Sequence, residues 1–295
     1  MATDAGVDYA ARPGLTPAEV VRRSAAYLER HGVESPTANA ETLLMNLLGT
    51  DRAALYARRE GLDARTARLY GRALCRRCAG TPLQHITGDQ QFLDLRLRVV
   101  PGVFVPRPET EILATTAIDL IAGVEDPVVV DVGTGTGAVA LAVRSRRPDA
   151  RVLATDLSPA AVDLARANSE RCGLDVETLA GDLLAPVPPE LRGRVDLVVS
   201  NPPYLTPEDY EDLPEEVRRD PFEALVGGVG GLDVQARLAA DAPAWLRPGG
   251  WLVVEMGETQ AEDVTGLMTG AGFADIRVTR DLAGRDRVAS ARLAV

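Results

Sequence analysis

Apolar and polar positions change their spacing along the chain, and the changes predict three regions. Up to residue 79, apolar side chains recur three and four positions apart, which is typical of amphipathic helices. Residues 90–106 alternate apolar and polar side chains around Pro101-Gly102, which predicts a β-hairpin. From residue 111 onward, short apolar runs alternate with helical spacing. We therefore predict a helical domain over residues 1–89, a hairpin linker over 90–110 and an α/β domain over 111–295.

Start and stop signals place the helices of the first region. Thr16-Pro17-Ala18-Glu19 is a capping box with Pro at the first helical position, and Gly32 closes the helix that it opens. Ser35-Pro36 starts a second helix that ends at Gly49, and shorter helices are predicted over 51–59 and 63–79. Four arginines share one face of the last helix, which is typical of a solvated face but also suits an acidic partner: Arg65, Arg68, Arg72 and Arg76.

The pattern after residue 111 predicts a doubly wound α/β fold. Helical stretches fill most of the gaps between the apolar runs, and this alternation favours a parallel sheet. The last two runs lie close together, so we expect an antiparallel pair at one edge. The predicted strands are 127–132, 151–156, 176–181, 195–200, 249–256, 274–281 and 287–294.

Charge is distributed unevenly along the 295 residues. Residues 1–95 carry 12 Arg against 11 acidic residues, whereas residues 96–295 carry 20 Arg against 32, and the chain has no Lys. An acidic body does not suit a partner held mainly through phosphates, so we expect no direct nucleic-acid partner.

The beginning of the chain and its three cysteines indicate a cytoplasmic protein. Its first residues lack the basic and then apolar pattern of a signal peptide, and no apolar run is long enough to span a bilayer. Cys75 and Cys78 form one C-x-x-C without the further ligands that a zinc site needs, so no metal is expected. We expect a monomer.

A glycine loop follows the first predicted strand of the α/β domain. The segment VVVDVGTGTG (128–137) ends with Gly133, Gly135 and Gly137 at alternate positions, and a helix is predicted directly after it. Glycines allow a tight turn and a close approach of the backbone to a ligand at the positive end of a helix. Asp156 ends the next strand, 19 residues after Gly137, where its carboxylate can accept from two ribose hydroxyls. These features predict a nucleoside ligand and fit both NAD and S-adenosylmethionine.

Two carboxylates favour S-adenosylmethionine over NAD. Asp131 at the strand end can meet the ammonium group of a methionine tail, whereas it would repel a pyrophosphate. Asp182 follows the third strand and can accept from an adenine amino group. The predicted cofactor-binding residues are Phe104, Asp131, Gly133, Thr134, Gly135, Gly137, Asp156, Leu157, Asp182, Leu183 and Asn201.

The stretch VVSNPPYL ends the fourth strand, which lies beside the first in such a fold. Two acceptors, the side-chain oxygen of Asn201 and the backbone oxygen of Pro202, can hold both hydrogens of an –NH₂ group. Prolines have no N–H, so this segment presents carbonyls, and Tyr204 offers a flat face for stacking. This suits methylation of an amide or ring amino nitrogen. We predict catalytic roles for Asn201, Pro202 and Tyr204, with Pro203 also contacting the substrate.

Five segments together resemble the HemK/PrmC family, enzymes that methylate the glutamine of the Gly-Gly-Gln loop of peptide chain release factors. These segments are TPLQHITG (81–88), FVPRPETE (104–111), DVGTGTG (131–137), SNPPY (200–204) and LRPGGWLVVEMG (246–257). The resemblance implies a five-helix N-terminal domain that docks the substrate, a hairpin linker and a seven-stranded, Rossmann-like class I methyltransferase domain. It also implies that Phe104, Pro106 and Arg107 line the cleft near the methyl group, and that Tyr204 packs over the target amide.

Two positions depart from the family pattern. His85 stands where the family usually has Tyr, and the glycine-rich residues 227–231 have Gly where Asp commonly precedes Gly-Leu. The sequence therefore leaves three alternatives open besides release-factor glutamine methylation. They are a paralogue with a small-molecule acceptor, a nucleic-acid amino methyltransferase, which would need a basic binding surface, and a non-catalytic scaffold that binds S-adenosylmethionine.

Overall fold

The computed structural model describes residues 10–294, which form two compact units. Among these residues, the first unit comprises 10–88 together with Glu215–Arg219, and the second comprises Asp89–Pro214 and 220–294. The predicted linker segment, 90–110, lies within the second unit. No described helix is long and apolar enough to cross a membrane.

The first unit is helical, as the spacing predicts. The N-terminal capping box of its first long helix is formed, with the Thr16 backbone N donating to Glu19 Oε2 over 2.9 Å. Leu28, Leu44, Tyr70 and Leu74 are fully buried in its core. The helices in the described part of this unit are α1 (Pro17–Arg30), α2 (Pro36–Leu48), α3 (Arg52–Ala57), α4 (Ala64–Cys78) and α5 (Leu83–Thr87).

A buried arginine joins the distant segment Glu215–Arg219 to the helices of this unit. The Arg77 guanidinium donates from Nε to Asn39 Oδ1 over 2.7 Å and from Nη2 to Glu216 Oε2 over 2.7 Å. Burying a charge is costly unless it is paired and hydrogen-bonded, and both conditions are met here. Sequence spacing alone gave no sign of this pairing, because Glu216 lies 139 residues away from Arg77.

The predicted hairpin exists, but the predicted position of its turn is wrong. The strands are β1 (Asp89–Phe92) and β2 (Leu95–Arg98), which are antiparallel and turn at Leu93-Asp94. Pro101-Gly102 also forms a turn, but no strand follows it. The register is set by burial, because Phe92 and Leu97 must both point into the core of the second unit.

The second unit has the predicted α/β architecture, with helices between most of its remaining strands. The strands are β3 (Val128–Val132), β4 (Arg151–Asp156), β5 (Glu177–Ala180), β6 (Val195–Ser200), β7 (Leu246–Glu255), β8 (Phe273–Arg280) and β9 (Asp286–Leu293). The helices are α6 (Thr110–Leu120), α7 (Ala138–Arg146), α8 (Pro159–Cys172), α9 (Pro207–Glu211), α10 (Asp233–Asp241) and α11 (Ala261–Gly270).

The order of the strands brings the two predicted halves of the site together. The sheet runs β5-β4-β3-β6-β7-β9-β8, with β3 to β7 parallel and β9 antiparallel to both of its neighbours. The chain leaves β3 toward β5 and returns to place β6 on the other side of β3. Val132 therefore pairs with Ser200, so the glycine loop and the NPPY segment begin side by side. Open α/β sheets bind ligands at such a switch point.

Both faces of the sheet are buried. Val129 belongs to one apolar cluster and Val130 to the other, since successive side chains of a strand point to opposite faces. This double burial explains why β3 and β6 read as continuous apolar runs rather than as alternating ones. The predicted antiparallel pair of the last two strands is confirmed at the sheet edge. The edge strand is β8, and β9 lies between β8 and β7.

Candidate active site

A cavity of about 220 Å³ opens at the carboxyl ends of the central strands. It collects most of the residues that the sequence predicts for the cofactor and the acceptor. Those that line it are Phe104, Pro106, Asp131, Gly133, Thr134, Gly135, Asp156, Leu157, Asp182, Leu183, Asn201, Pro202 and Pro203. Residues from β3, β4, β6 and the loops that follow them thus share one wall.

Three predicted residues lie outside the lining of this cavity. Gly137 opens α7 with φ +83°, and a Cβ there would meet the Cβ of Ala165 at 3.2 Å, so it permits close helix packing. Arg107 forms an ion pair with the buried Asp220 and lies 5.2 Å from the centre of the Phe104 ring. Tyr204 is not among the residues that line the cavity, and burial raises the pKa of its hydroxyl.

Backbone hydrogen bonds hold the glycine loop against the neighbouring strand. The N–H groups of Gly133 and Thr134 both donate to the carbonyl of Thr155, over 2.9 and 3.0 Å. The side chain of Asp156 also holds the glycine loop, because one carboxylate oxygen accepts from Gly135 N over 2.9 Å. The other oxygen accepts from Ser158 N over 2.8 Å. These hydrogen bonds within the protein fix the position of the loop against β4.

Asp131 is a buried carboxylate in the cavity wall. It is 1% exposed, and its Oδ2 accepts from Thr134 Oγ1 over 2.6 Å and from Ala140 N over 3.1 Å. Burial raises its pKa to about 6, against the lowering effect of these two hydrogen bonds. A cationic ligand group beside it would favour the ionised form.

Asp182 forms an ion pair that the sequence did not predict. Arg237 of α10 lines the same cavity and donates from Nη2 to Asp182 Oδ2 over 2.5 Å. The two side chains are about half exposed, so this ion pair sits at the mouth of the cavity. It leaves Oδ1 of Asp182 available to accept from a ligand.

Asn201 is oriented by a second residue that the sequence reasoning missed. Its Nδ2 donates to Thr110 Oγ1 over 3.0 Å, and Thr110 is 3% exposed at the start of α6. The NH₂ edge of the amide is thereby engaged, and Oδ1 remains as the acceptor edge. Thr110 lies within FVPRPETE, but no spacing in the sequence links it to a residue 91 positions away.

The backbone of the NPPY segment is held by distant residues. Gln260 Nε2 donates to Tyr204 O over 2.9 Å, and Leu205 N donates to Leu225 O over 2.9 Å. Two glycines of the segment 227–231 pack directly against it. A Cβ on Gly227 would lie 2.2 Å from Pro203 O, and one on Gly231 would lie 2.4 Å from Tyr204 O. Gly227 and Gly231 therefore have a local steric reason, whereas a Cβ on Gly230, the residue that precedes Gly-Leu, would meet nothing within 4 Å.

Glu255 ends β7 behind the NPPY segment and is 1% exposed. Burial raises its pKa to about 7, against the lowering effects of the nearby Thr110 hydroxyl and of the charge on Arg287. Burial also raises the pKa of Tyr204 to about 12, with a further contribution from the charge of Glu255. The sequence reasoning gave Glu255 no role.

Comparison with known proteins identifies relatives over nearly the whole chain. Residues 19–88 match the PrmC N-terminal domain family, and residues 101–228 match the methyltransferase small domain family. The release factor glutamine methyltransferase of Deinococcus radiodurans is 43% identical over 279 residues, which cover 94% of this chain and 98% of that protein. The one of Streptomyces coelicolor is 44% identical over 269 residues, which cover 90% and 93%.

The similarity to solved structures concerns the fold. A methyltransferase from Pyrococcus furiosus superimposes with a TM-score of 0.51 at 20% identity, and the match covers 69% of this chain and 91% of that one. At this identity the match shows that the second unit has a methyltransferase fold.

Proposed function

The chain belongs to the release factor glutamine methyltransferase family, and from this premise we propose its reaction. It transfers a methyl group from S-adenosylmethionine to the side-chain amide nitrogen of the glutamine in the Gly-Gly-Gln loop of peptide chain release factors. One observation carries this proposal most directly. Asn201 lies in the wall of the cavity with its NH₂ edge turned to Thr110, which leaves acceptor oxygens for a substrate –NH₂ group.

The residues of the cavity fit S-adenosylmethionine. Four carboxylates line it, Asp131, Asp156, Asp182 and Glu223, and the cation among the lining residues, Arg237, is already paired. Such a wall favours a ligand that carries positive charge and hydroxyl groups, and it disfavours a pyrophosphate. Asp131 would hold the ammonium group, Asp156 the ribose hydroxyls and Asp182 the adenine amino group. Phe104, Leu157 and Leu183 add apolar surface.

The bound cofactor supplies an electrophilic methyl group on a positively charged sulfur. The protein orients the acceptor. Asn201 Oδ1 and Pro202 O accept the two hydrogens of the target amide, and Pro203 extends a segment without N–H donors that would compete for them. An amide nitrogen is a weak nucleophile because its lone pair is delocalised. Holding both hydrogens out of the amide plane favours the lone pair, and fixed orientation can be worth roughly 7–11 kcal/mol.

A direct assay tests the reaction. Purified protein is incubated with S-adenosylmethionine and an unmethylated release factor, and the peptide that contains the Gly-Gly-Gln glutamine is analysed by mass spectrometry. We expect a mass gain of one methyl group in place of a hydrogen on that glutamine. A release factor with the glutamine replaced by alanine should show no gain on that peptide.

Calorimetric titration with S-adenosylhomocysteine, the expected product, separates a failed fold from a wrong acceptor. Binding of this ligand without methylation of any release factor supplied would contradict the acceptor and leave the cofactor assignment standing. Absence of binding as well would contradict both.

A further inference from the structure

Glu223 is the carboxylate of the cavity lining that the proposed cofactor contacts do not use. It lies in a short 3₁₀ turn, Phe222–Ala224, and Ala224 lines the same cavity. Glu223 is exposed, whereas Asp131 in the cavity wall is 1% exposed. Glu223 therefore lies at the mouth of the cavity, where a ligand enters.

Hydrogen bonds fix this turn at the acceptor end of the cavity. Leu205, the residue that follows NPPY, donates from its N to Leu225 O over 2.9 Å and accepts from Gly227 N over 2.9 Å. Before the turn, the buried Asp220 forms an ion pair with Arg107 of FVPRPETE. The turn is thus held between two segments that line the cavity, and its position is set by contacts within the protein.

Phe222 places an exposed aromatic ring in the same turn. It is 46% exposed, and its ring meets that of Tyr210 in α9 edge-on, with the ring centres 4.9 Å apart and the planes at 75°. This contact restricts the ring, so less conformational freedom is lost when a partner packs against it. Exposed aromatic side chains are enriched at protein–protein contacts.

We propose that the turn Phe222–Ala224 docks the protein loop that carries the target glutamine. Glu223 accepts hydrogen bonds from the backbone N–H groups of the two glycines that precede this glutamine, and Phe222 packs against the glycine backbone. This inference rests on the proposed function, since it names the surface by which the release factor reaches the site.

The chemistry of a Gly-Gly-Gln loop matches this surface. A glutamine side chain is short, so its backbone must lie at the mouth of the cavity when its amide reaches Asn201 and Pro202. Glycines have no side chain, so an aromatic ring can approach their backbone closely. A carboxylate only accepts hydrogen bonds, and those from N–H groups to a charged acceptor are the stronger ones. The glycine N–H groups and Glu223 are therefore complementary.

A nucleic-acid acceptor fits the same surface poorly. A base could stack on Phe222, but the phosphates of its backbone would be repelled by Glu223. The helix that carries Tyr210 adds three more exposed acidic residues, Glu208, Asp209 and Glu211. The charge at the mouth therefore favours a protein loop.

Substitutions in the turn test the docking. Glu223→Gln keeps the shape but removes the charge, and Phe222→Ala removes the ring. For each variant we expect KM for the release factor to rise about tenfold, the size of one charge-assisted hydrogen bond or one packed contact. Affinity for S-adenosylhomocysteine should stay unchanged, because neither residue is assigned to the cofactor.

Two exposed residues outside the cavity lining give matched controls. Glu190→Gln makes the same change in another 3₁₀ turn, Pro189–Leu191, and Leu282→Ala removes a fully exposed apolar side chain. Both controls should keep the wild-type KM. Turn variants whose KM equals that of their controls would overturn the proposal.

Binding without turnover tests the contact between Phe222 and the glycines. Calorimetry at saturating S-adenosylhomocysteine measures Kd for the release factor and for variants in which either loop glycine is replaced by alanine. The added methyl group should meet the Phe222 ring. The alanine variants should therefore lose about tenfold in affinity for the wild-type enzyme and clearly less for Phe222→Ala. Equal losses with both enzymes would show that the ring does not contact the loop.

The outcomes distinguish this inference from the proposed function. Methylation of the release factor with the same KM in the turn variants and the controls would leave the function standing and overturn the docking surface. A protein that neither binds nor methylates a release factor would contradict the proposed function and the docking surface together.

Discussion

The two walls of the cavity are built in different ways. The cofactor wall consists of β3, its glycine loop and Asp156, and its contacts join residues about 20 positions apart, such as Asp156 and Gly135. The acceptor wall is the NPPY segment, and its contacts come from Thr110, Gln260 and the glycines at 227 and 231. Thr110 and Gln260 lie 91 and 56 positions from their partners.

The two walls should therefore respond differently to amino-acid substitutions. The cofactor wall is held by backbone hydrogen bonds to Thr155 and by the carboxylate of Asp156, all within one strand–helix–strand unit. The acceptor wall depends on the side chains of Thr110 and Gln260, and it also needs glycine, without a side chain, at positions 227 and 231. Single substitutions at these positions, far from the NPPY segment in sequence, should therefore alter it. Changes in the acceptor wall should lower turnover and spare cofactor binding, whereas changes in the cofactor wall should do the reverse.

The largest effect is expected at Asn201. Asn201→Ala removes one of the two oxygens that we propose hold the target amide, and kcat should fall by about 10²-fold or more, as for other groups that orient or stabilise a reacting centre. Affinity for S-adenosylhomocysteine should stay near that of the wild type. Retention of most of the rate would show that the amide is held by other groups.

A steric substitution tests the distant support of the same wall. Gly227→Ala would place a Cβ 2.2 Å from Pro203 O, so the NPPY backbone must move, and we expect kcat to fall about tenfold, since a small misplacement of the reacting groups is costly. Gly230→Ala is the matched control, because a Cβ there meets nothing within 4 Å. Thermal unfolding measures the stability of both variants. Similar kcat values in both would mean that the acceptor wall adapts.

The cofactor wall should respond in binding rather than in rate. Asp156→Ala removes the acceptor of the Gly135 and Ser158 N–H groups and of the predicted ribose contacts, and we expect affinity for S-adenosylhomocysteine to fall about tenfold, the size of one or two charged hydrogen bonds. At saturating cofactor, kcat should recover. A loss of kcat that excess cofactor does not relieve would contradict the separation of the two walls.

The smallest effect is a pH dependence of cofactor binding. The pKa of Asp131 is raised to about 6, so its carboxylate is ionised above that pH and neutral below it. A ligand with an ammonium group should bind less tightly as the pH falls through 6, by up to about tenfold per pH unit in the limit where only the ionised form binds. Calorimetry between pH 5 and about 8 measures this dependence. Asp131→Asn should remove it, and an unchanged dependence would assign it to another group.

Much of this molecule could be predicted from local signals. The strands were placed to within a few residues, and the clearest were β3, β4 and β6, because each of them is a buried apolar run. The glycine loop and Asp156 could be predicted because their spacing is set by one strand–helix–strand unit. The turn of the hairpin was misplaced because Pro101-Gly102 is a strong turn signal, whereas Leu93-Asp94 is a weak one and the burial of Phe92 and Leu97 decided the register.

The sequence by itself thus determined the α/β fold, and it predicted the cofactor loop and the acceptor residues Asn201 and Pro202. Only the tertiary structure placed Thr110 against the Asn201 amide, Gln260 against the Tyr204 carbonyl and Arg237 against Asp182. The physical reason is the range of the interaction. Periodicity and loop motifs record contacts within a few turns of chain, whereas hydrogen bonds between elements depend on the strand order that brings those elements together.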